Sequence, residues 1–343
     1  MDRLITDARV RSAPRRLTRP LATAGGILHE LPGAELRVVT ACGCVAIAEA
    51  PLLVGGPLAG EALAKELADA VAGWAGCRVG ELEAAATAPA VSPPAAWAID
   101  TAIAGVKARG QGLLAARAIA RHPDAGRRYT VRTNALATAR SPAELEREVA
   151  ALVAAGEHTI KLKVGGGSLA DDEDRVAAAR AAAGPTTVLR LDANQAWDVA
   201  EAERRLRRLS AYDLDYVEQP VPGSDLPALA RVRSRSPVPV AADEAARNAE
   251  GAKHVLAAGA ADVLVLKPSA LGPLAATREL AERAASAGVR TVLSSLFDSG
   301  ASLWAQVGLA AGLGPGEAHG LATAALLAEP GDAPVPVRGV VTF

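Results

Sequence analysis

Three lysines and three acidic residues could carry chemistry together: Lys161, Lys163 and Lys267 with Asp192, Glu218 and Asp243. Lys161 and Lys163 lie in Thr159–Val164, a β-type run, and side chains two apart on a strand share a face. The other face of that run is apolar. The same parity puts Arg190 and Asp192 on one side of Val188–Asn194. Charged side chains are rarely buried unless something pairs with them, so an inward lysine pair calls for inward carboxylates.

From Lys163 the series runs through Asp192, Glu218, Asp243 and Lys267 to Ser294 and Ser295, with 24 to 29 residues between successive strand ends. Each step is about one β/α unit, which brings all of them to the same mouth. Three converging carboxylates do not stay ionised together without a cation. Oxygen donors without His or Cys suit a hard ion, Mg²⁺ before Zn²⁺, with Mn²⁺ as a substitute. With the ion holding a substrate carboxylate, Lys163 beside it could remove the proton next to that carboxylate, and Lys161 would assist the base and bind a substrate oxygen.

Singly, each of these residues is as ordinary as a surface ion pair, and it is their succession that points to a site. Arg190 is divided between an ion pair inside the barrel and a contact with a substrate anion. Ser294 and Ser295 are divided between capping the next helix and binding a substrate carboxylate. Asp213, Asp215 and Glu244 read as neighbours that solvate or orient. Of the five histidines, four fall in turns or on helices, and His319 is the one that could line the mouth.

The elements that must position this set follow from a repeat. After Arg128, a short β run, a Gly-, Pro- or Asp-marked turn and an Ala/Leu/Arg helix recur. The runs are Tyr129–Thr133, Thr159–Val164, Thr187–Asp192, Asp215–Glu218, Val238–Ala242, Val263–Lys267, Val289–Ser294 and a weak one near Glu317–Leu321. Eight strand–helix units predict a parallel (β/α)8-type barrel with a modified last unit, its functional residues at the C-terminal strand ends. No Gly-x-Gly-x-x-Gly follows the first run, which disfavours an open doubly wound sheet. Residues 1–128 read as an α+β capping domain, with strands Ile27–Leu31, Leu36–Thr40 and Cys44–Ala48 and helices Glu61–Trp74 and Ala95–Arg109. Residues 129–322 read as the barrel, and 323–343 as a tail in which Ala333–Phe343 returns to the first domain.

Composition narrows the function class. The 343 residues are 50% hydrophobic and 22% charged, with 37 basic against 38 acidic side chains. That balance gives no electrostatic reason to expect nucleic acid or an anionic membrane, so a small-molecule carboxylate is the expected partner. No run of about 18 uncharged apolar residues occurs, and the expected location is cytoplasmic. Three cysteines in no zinc-like spacing make neither a disulfide framework nor a metal site. The sequence leaves the oligomeric state open, a homo-oligomer included.

Ile160-Lys-Leu-Lys163, Leu191-Asp-Ala-Asn-Gln-Ala-Trp197, Val217-Glu-Gln-Pro220, Ala241-Ala-Asp-Glu244 and Leu266-Lys-Pro268 resemble, in order, the motifs of the enolase superfamily. Pairing of a Lys or His base with Mg²⁺ is known for that superfamily. The Lys-x-Lys pair with a sixth-strand lysine is similar to the muconate-lactonising subgroup. Ser294–Gly300, Glu317–Leu327 and Ala48-Glu-Ala-Pro51 resemble the o-succinylbenzoate synthase family of menaquinone biosynthesis. The resemblance implies Mg²⁺ on Asp192, Glu218 and Asp243, with Asn194 supporting them, Lys163 as the base and Lys267 stabilising the enediolate. It also implies a dehydration, with cap loops near Leu21–Ile27 and Pro51–Gly56 covering the substrate. Muconate cycloisomerase and N-acylamino-acid racemase share the lysine pair and stand as alternatives. A catalytically silent binding barrel is the alternative of another class, disfavoured by the intact set of lysines and carboxylates.

Overall fold

The computed structural model describes residues 3–23, 26–53, 56–82, 91–108, 113–120 and 128–343. The N-terminal unit is built from β1 (Ile5–Ser12), β2 (Arg15–Thr23), β3 (Gly26–Leu31), β4 (Gly33–Thr40) and β5 (Val45–Pro51). β1, β4 and β5 form an antiparallel sheet in that order, while β2 and β3 pair as a separate hairpin. Alternation in β4 and β5 buries Leu36, Val38, Ala46, Ala48 and Ala50 on one face. That face packs on α1 (Gly56–Val71) and α2 (Pro93–Lys107), whose Leu63, Leu67, Ile99 and Val106 complete the core. β1 and β2 are strands that the sequence reading did not contain. Both are rich in arginine, met in β1 across strands, as in the Arg11–Glu35 pair at 2.7 Å, and in β2 by distant parts of the chain such as Glu329, so neither shows an apolar run. The expected loop Leu21–Ile27 is largely the β2–β3 hairpin, with 24–25 outside the described residues, and 54–55 of Pro51–Gly56 also lie outside them. Arg109, the expected end of the second helix, lies outside them too.

After α3 (Leu113–Ile119), β6 (Thr130–Thr133) and β7 (Ala135–Ala137) replace the single first barrel strand expected at Tyr129–Thr133. Then follow α4 (Pro142–Ala154), β8 (Thr159–Lys163), α5 (Leu169–Ala183), β9 (Val188–Asp192), α6 (Val199–Leu209), β10 (Leu214–Glu218) and α7 (Leu226–Arg235). β11 (Val240–Ala242), α8 (Ala249–Ala257), β12 (Val263–Leu266), α9 (Pro268–Leu271), α10 (Leu274–Ser286), β13 (Arg290–Leu293), α11 (Gly300–Leu313), β14 (Ala318–His319) and β15 (Val340–Thr342) complete the chain. β7 to β13 form a curled seven-stranded parallel sheet in sequence order. β14 closes the remaining gap: it pairs in parallel with β6, and Gly320 bridges Ser294 after β13. The result is the expected parallel barrel with an irregular last unit.

Inside the barrel lie Tyr216, Ala241, Val263, Val265 and Val292, while Leu264, Leu266 and their counterparts face the helices. Helix starts are set by side-chain caps such as Ser168, which forms a reciprocal pair with Asp171, and Asp198, Asp225 and Asn248. The tail departs from expectation. Residues Val340–Thr342 pair antiparallel with β6 of the barrel, and Phe343 stacks on Tyr129 at 5.0 Å, so Ala333–Phe343 ends on the barrel and not on the first unit. The Tyr129–Phe343 stack and the Val341 core contact supply the apolar anchor for this return. The preceding stretch touches the N-terminal unit, where Leu327 bridges Leu17 of β2. Among the described residues no helix is long and apolar enough to cross a membrane.

Candidate active site

Strand parity works out residue by residue. Ile160 and Leu162 are buried against the helices, which turns Lys161 and Lys163 of β8 inward. Lys163 sits in register with Asp192 on β9, and Asp192 with Glu218 on β10. Asp243 follows β11 directly and Lys267 follows β12. Backbone turns shape these strand ends: Asn194, Gln195 and Gln219 have φ of 42°, 65° and 39°. Beyond Lys163, Gly165 has φ 88°, and a Cβ there would lie 2.5 Å from Ala196 Cβ. Its N–H donates to the buried Asp172 carboxylate at 2.8 Å, which anchors the turn that leaves the β8 end.

The six charged groups interlock. Lys161 Nζ lies 2.6 Å from Glu218 Oε1 and 2.8 Å from Asp192 Oδ2. Lys163 Nζ reaches the same Asp192 oxygen at 2.7 Å and also donates to Asn194 Oδ1. Lys267 pairs with Asp243. Burial would lower the Lys161 pKa, but Asp192 and Glu218 outweigh it and raise it well above the ordinary lysine value. Burial also acts against Lys267, and Asp243 reverses it. For Asp192 burial pushes upward, yet Lys161 and Lys163 hold it well below the usual carboxylate range. Glu218 goes the other way, raised by burial and by its carboxylate neighbours Asp192 and Asp243 against the pull of Lys161.

Burial is the larger part of that upward push on Glu218, and the nearby Asp192 and Asp243 add to it. Asp192, Glu218 and Asp243 are buried oxygen donors on three adjacent strands, a set whose chemistry fits Mg²⁺. The Asp192 and Glu218 oxygens face Lys161 and those of Asp243 face Lys267, and among the described residues no three acidic side chains gather around one point.

Other expected contacts fall elsewhere. Arg190, 2% exposed, donates to Asp215 Oδ2 at 2.8 Å, Ala318 O at 2.6 Å, Asn134 Oδ1 at 3.3 Å and Glu317 Oε2 at 3.2 Å. Its guanidinium also lies over the Tyr216 ring at 4.7 Å. It is an ion pair inside the barrel, one layer below Asp192, with its donors taken up by protein groups. Asp215, read as a solvating neighbour, is a partner in that network, and it also pairs with Arg290 at 2.8 Å. Ser295 is buried, donating to Asp298 Oδ2 at 3.0 Å and accepting from Asp298 N at 2.8 Å, so its hydroxyl is engaged by protein. Ser294 stays half-buried at the β13 end, close enough to β14 that a Cβ at Gly320 would sit 2.8 Å from its Oγ. His319 does not line the mouth. It is buried, accepts from Leu293 N at 3.0 Å, and burial with Arg190 and Arg132 nearby lowers its pKa to about 3.

Gln219 is a site residue without a role in the sequence reading, although it follows Glu218 directly. Its Oε1 accepts from Asp243 N and Ala245 N, both at 3.0 Å, and so fixes the backbone that presents Asp243. A cavity of about 970 Å³ opens over Lys163 and Asn194, walled by Leu136, Arg19, Phe297 and Leu326. β2 of the N-terminal unit supplies part of that wall. A smaller cavity between β1 and α1 lies away from all of these residues.

A parallel barrel that gathers buried lysines and carboxylates at its C-terminal strand ends beside a cavity defines an enzyme acting on a small molecule. The chain belongs to the enolase C-terminal domain-like family, whose model matches residues 144–337. It is 45% identical over 219 residues to an o-succinylbenzoate synthase from Thermobifida fusca (strain YX), covering 62% of this chain and 67% of that one. An o-succinylbenzoate synthase from Mycobacterium tuberculosis (strain ATCC 25618 / H37Rv) is 40% identical over 192 residues, 56% of this chain and 55% of that one. The match therefore spans about half to two-thirds of these relatives. In fold, the chain is similar to a dipeptide epimerase from Enterococcus faecalis V583 complexed with Mg and the dipeptide L-Leu-L-Tyr. The TM-score is 0.81 at 24% identity, with 98% of this chain and 99% of that one covered.

Proposed function

We propose that this enzyme is an o-succinylbenzoate synthase, a hydro-lyase that dehydrates 2-succinyl-6-hydroxy-2,4-cyclohexadiene-1-carboxylate. The observation that carries the reading is the site itself: Lys161 and Lys163 face Asp192 and Glu218 from one side, and Lys267 stands with Asp243 on the other. The relatives' names support the substrate. Residues 1–128 act as the cap and 129–322 as the catalytic barrel, and the protein works in the cytoplasm on a free small molecule.

Asp192, Glu218 and Asp243 would hold Mg²⁺, with Mn²⁺ able to replace it; when bound, the ion offsets the negative charge that grows on the substrate carboxylate as the α-proton leaves. Lys163, the more exposed of the β8 pair, enters the cavity and takes that proton on Nζ. It then delivers the proton to the departing hydroxyl, so water leaves and the ring becomes aromatic. Lys161, held between two carboxylates, stays protonated and stabilises oxygen charge beside the base. Lys267 does the same from the opposite side. Asn194 and Gln219 hold Lys163 and the Asp243 backbone in place. Ser294, half-buried at the β13 end, would contact the substrate.

The test is loss of the cyclohexadiene absorbance on mixing with purified protein, with Mg²⁺ and with chelator, and identification of o-succinylbenzoate. Absence of turnover from a folded, Mg²⁺-binding protein would sink the assignment. The placement of Lys267 opposite Lys163 favours one other reading, racemisation or cycloisomerisation of another carboxylate. There Lys267 would exchange protons itself, and α-proton exchange in D₂O with both enantiomers of an N-acylamino acid would reveal it.

A further inference from the structure

We propose that Arg15 is a positioning residue that sets the substrate-facing wall of the cavity by holding Phe297. Arg15 opens β2, and only 9% of it is exposed. Its Nη1 donates to Leu296 O at 3.1 Å and to Phe297 O at 2.6 Å. Its Nη2 donates to Pro32 O and Leu52 O, both at 3.0 Å. One planar group therefore ties two segments of the cap, beside β3 and after β5, to the loop that follows β13.

Phe297 needs such support. Its φ of 59° lies in the left-handed region, which a bulky side chain adopts only when its surroundings dictate it. The next residue is fixed just as firmly: Asp298, fully buried, accepts from Ser295 Oγ, Leu296 N and Ser302 Oγ at 2.7–3.0 Å. Beyond it, Ser299 N and Oγ donate to Glu49 of β5 at 3.0 and 2.7 Å, a second tie between cap and barrel. Held in this way, Phe297 lines the cavity that also contains Lys163. A lysine at position 15 would keep the charge, but its donors radiate from one point and do not span carbonyls on two sides as a planar fork does. That the cavity is the substrate's rests on the preceding reading.

The variants are Arg15→Lys, Arg15→Ala, Phe297→Ala and the Arg15→Lys/Phe297→Ala double, each checked for folding by its thermal transition. Amide hydrogen exchange across 294–300, measured without substrate, should rise about tenfold or more in Arg15→Lys. In turnover, Arg15→Lys should raise KM about tenfold while kcat stays within about threefold, and the KM effect should disappear when Phe297 is already alanine. Unchanged exchange overturns the clamp whatever the substrate is. KM effects that multiply in the double variant overturn the route through Phe297. If the wild type does not turn over the cyclohexadiene, the proposed function fails, and the exchange result still decides the clamp. Should Arg15→Ala not fold, the lysine variant carries the test alone.

Discussion

Replacing Glu49 with glutamine should remove a pH dependence of stability that originates at the cap–barrel junction. Burial pushes the Glu49 carboxyl from 4.5 up to about 7, with Ser299 opposing through two hydrogen bonds, Asp298 adding to the rise and Arg15 opposing it. A carboxyl raised in the folded state holds its proton when the unfolded chain has released it. The stabilisation is therefore complete below pH 4.5 and is lost as pH climbs through about 7. Each pH unit in that window contributes about 1.4 kcal/mol, giving about 3 kcal/mol in all. Glu49→Gln keeps the shape and stays neutral throughout, so its stability relative to wild type should improve with rising pH, by about 3 kcal/mol between pH 4.5 and 8. Urea unfolding of both proteins at several pH values, followed by tryptophan fluorescence, measures that difference. Parallel stability curves would refute the reasoning.

Arg190→Ala removes the buried partner of Asp215 and Glu317 and leaves them only Arg290, so chemical denaturation should show a loss of about 3 kcal/mol. Gly165→Ala combines a positive φ with a 2.5 Å approach to Ala196, so the same assay should register roughly 3 kcal/mol, with activity reduced because the turn follows Lys163. Asp192→Asn and Glu218→Gln should each weaken Mg²⁺ binding at least about tenfold by calorimetry, an effect that a purely structural role for these carboxylates would not produce.

The strand ends were legible because two constraints coincide in them. Period-two alternation set the faces of Lys161, Lys163 and Asp192, and one β/α unit between neighbours set their common level. Arg190 shows where that logic stops, since parity gives a face but not a depth, and the cluster with Asp215, Glu317 and Tyr216 lies one layer lower. Ser295 adjoins a real strand end, yet Asp298 three residues on captures its hydroxyl. Arg15 and Glu49 were illegible for another reason: their partners at Leu296, Phe297 and Ser299 lie some 250 to 280 residues away, and no local pattern records such contacts. β1 escaped because its charges are met on the neighbouring strand, and β2 because its arginines are met by distant parts of the chain, Arg15 by backbone carbonyls and Arg16 by Glu329.

The most direct test of the account concerns Lys163. Lys163→Ala should lower kcat for the dehydration by roughly 10³-fold or more, while the thermal transition and Mg²⁺ affinity remain close to wild type. A Lys163→Ala protein that retains a substantial fraction of wild-type turnover would contradict the account, because the proton would then be leaving by a route that does not use the lysine in the cavity.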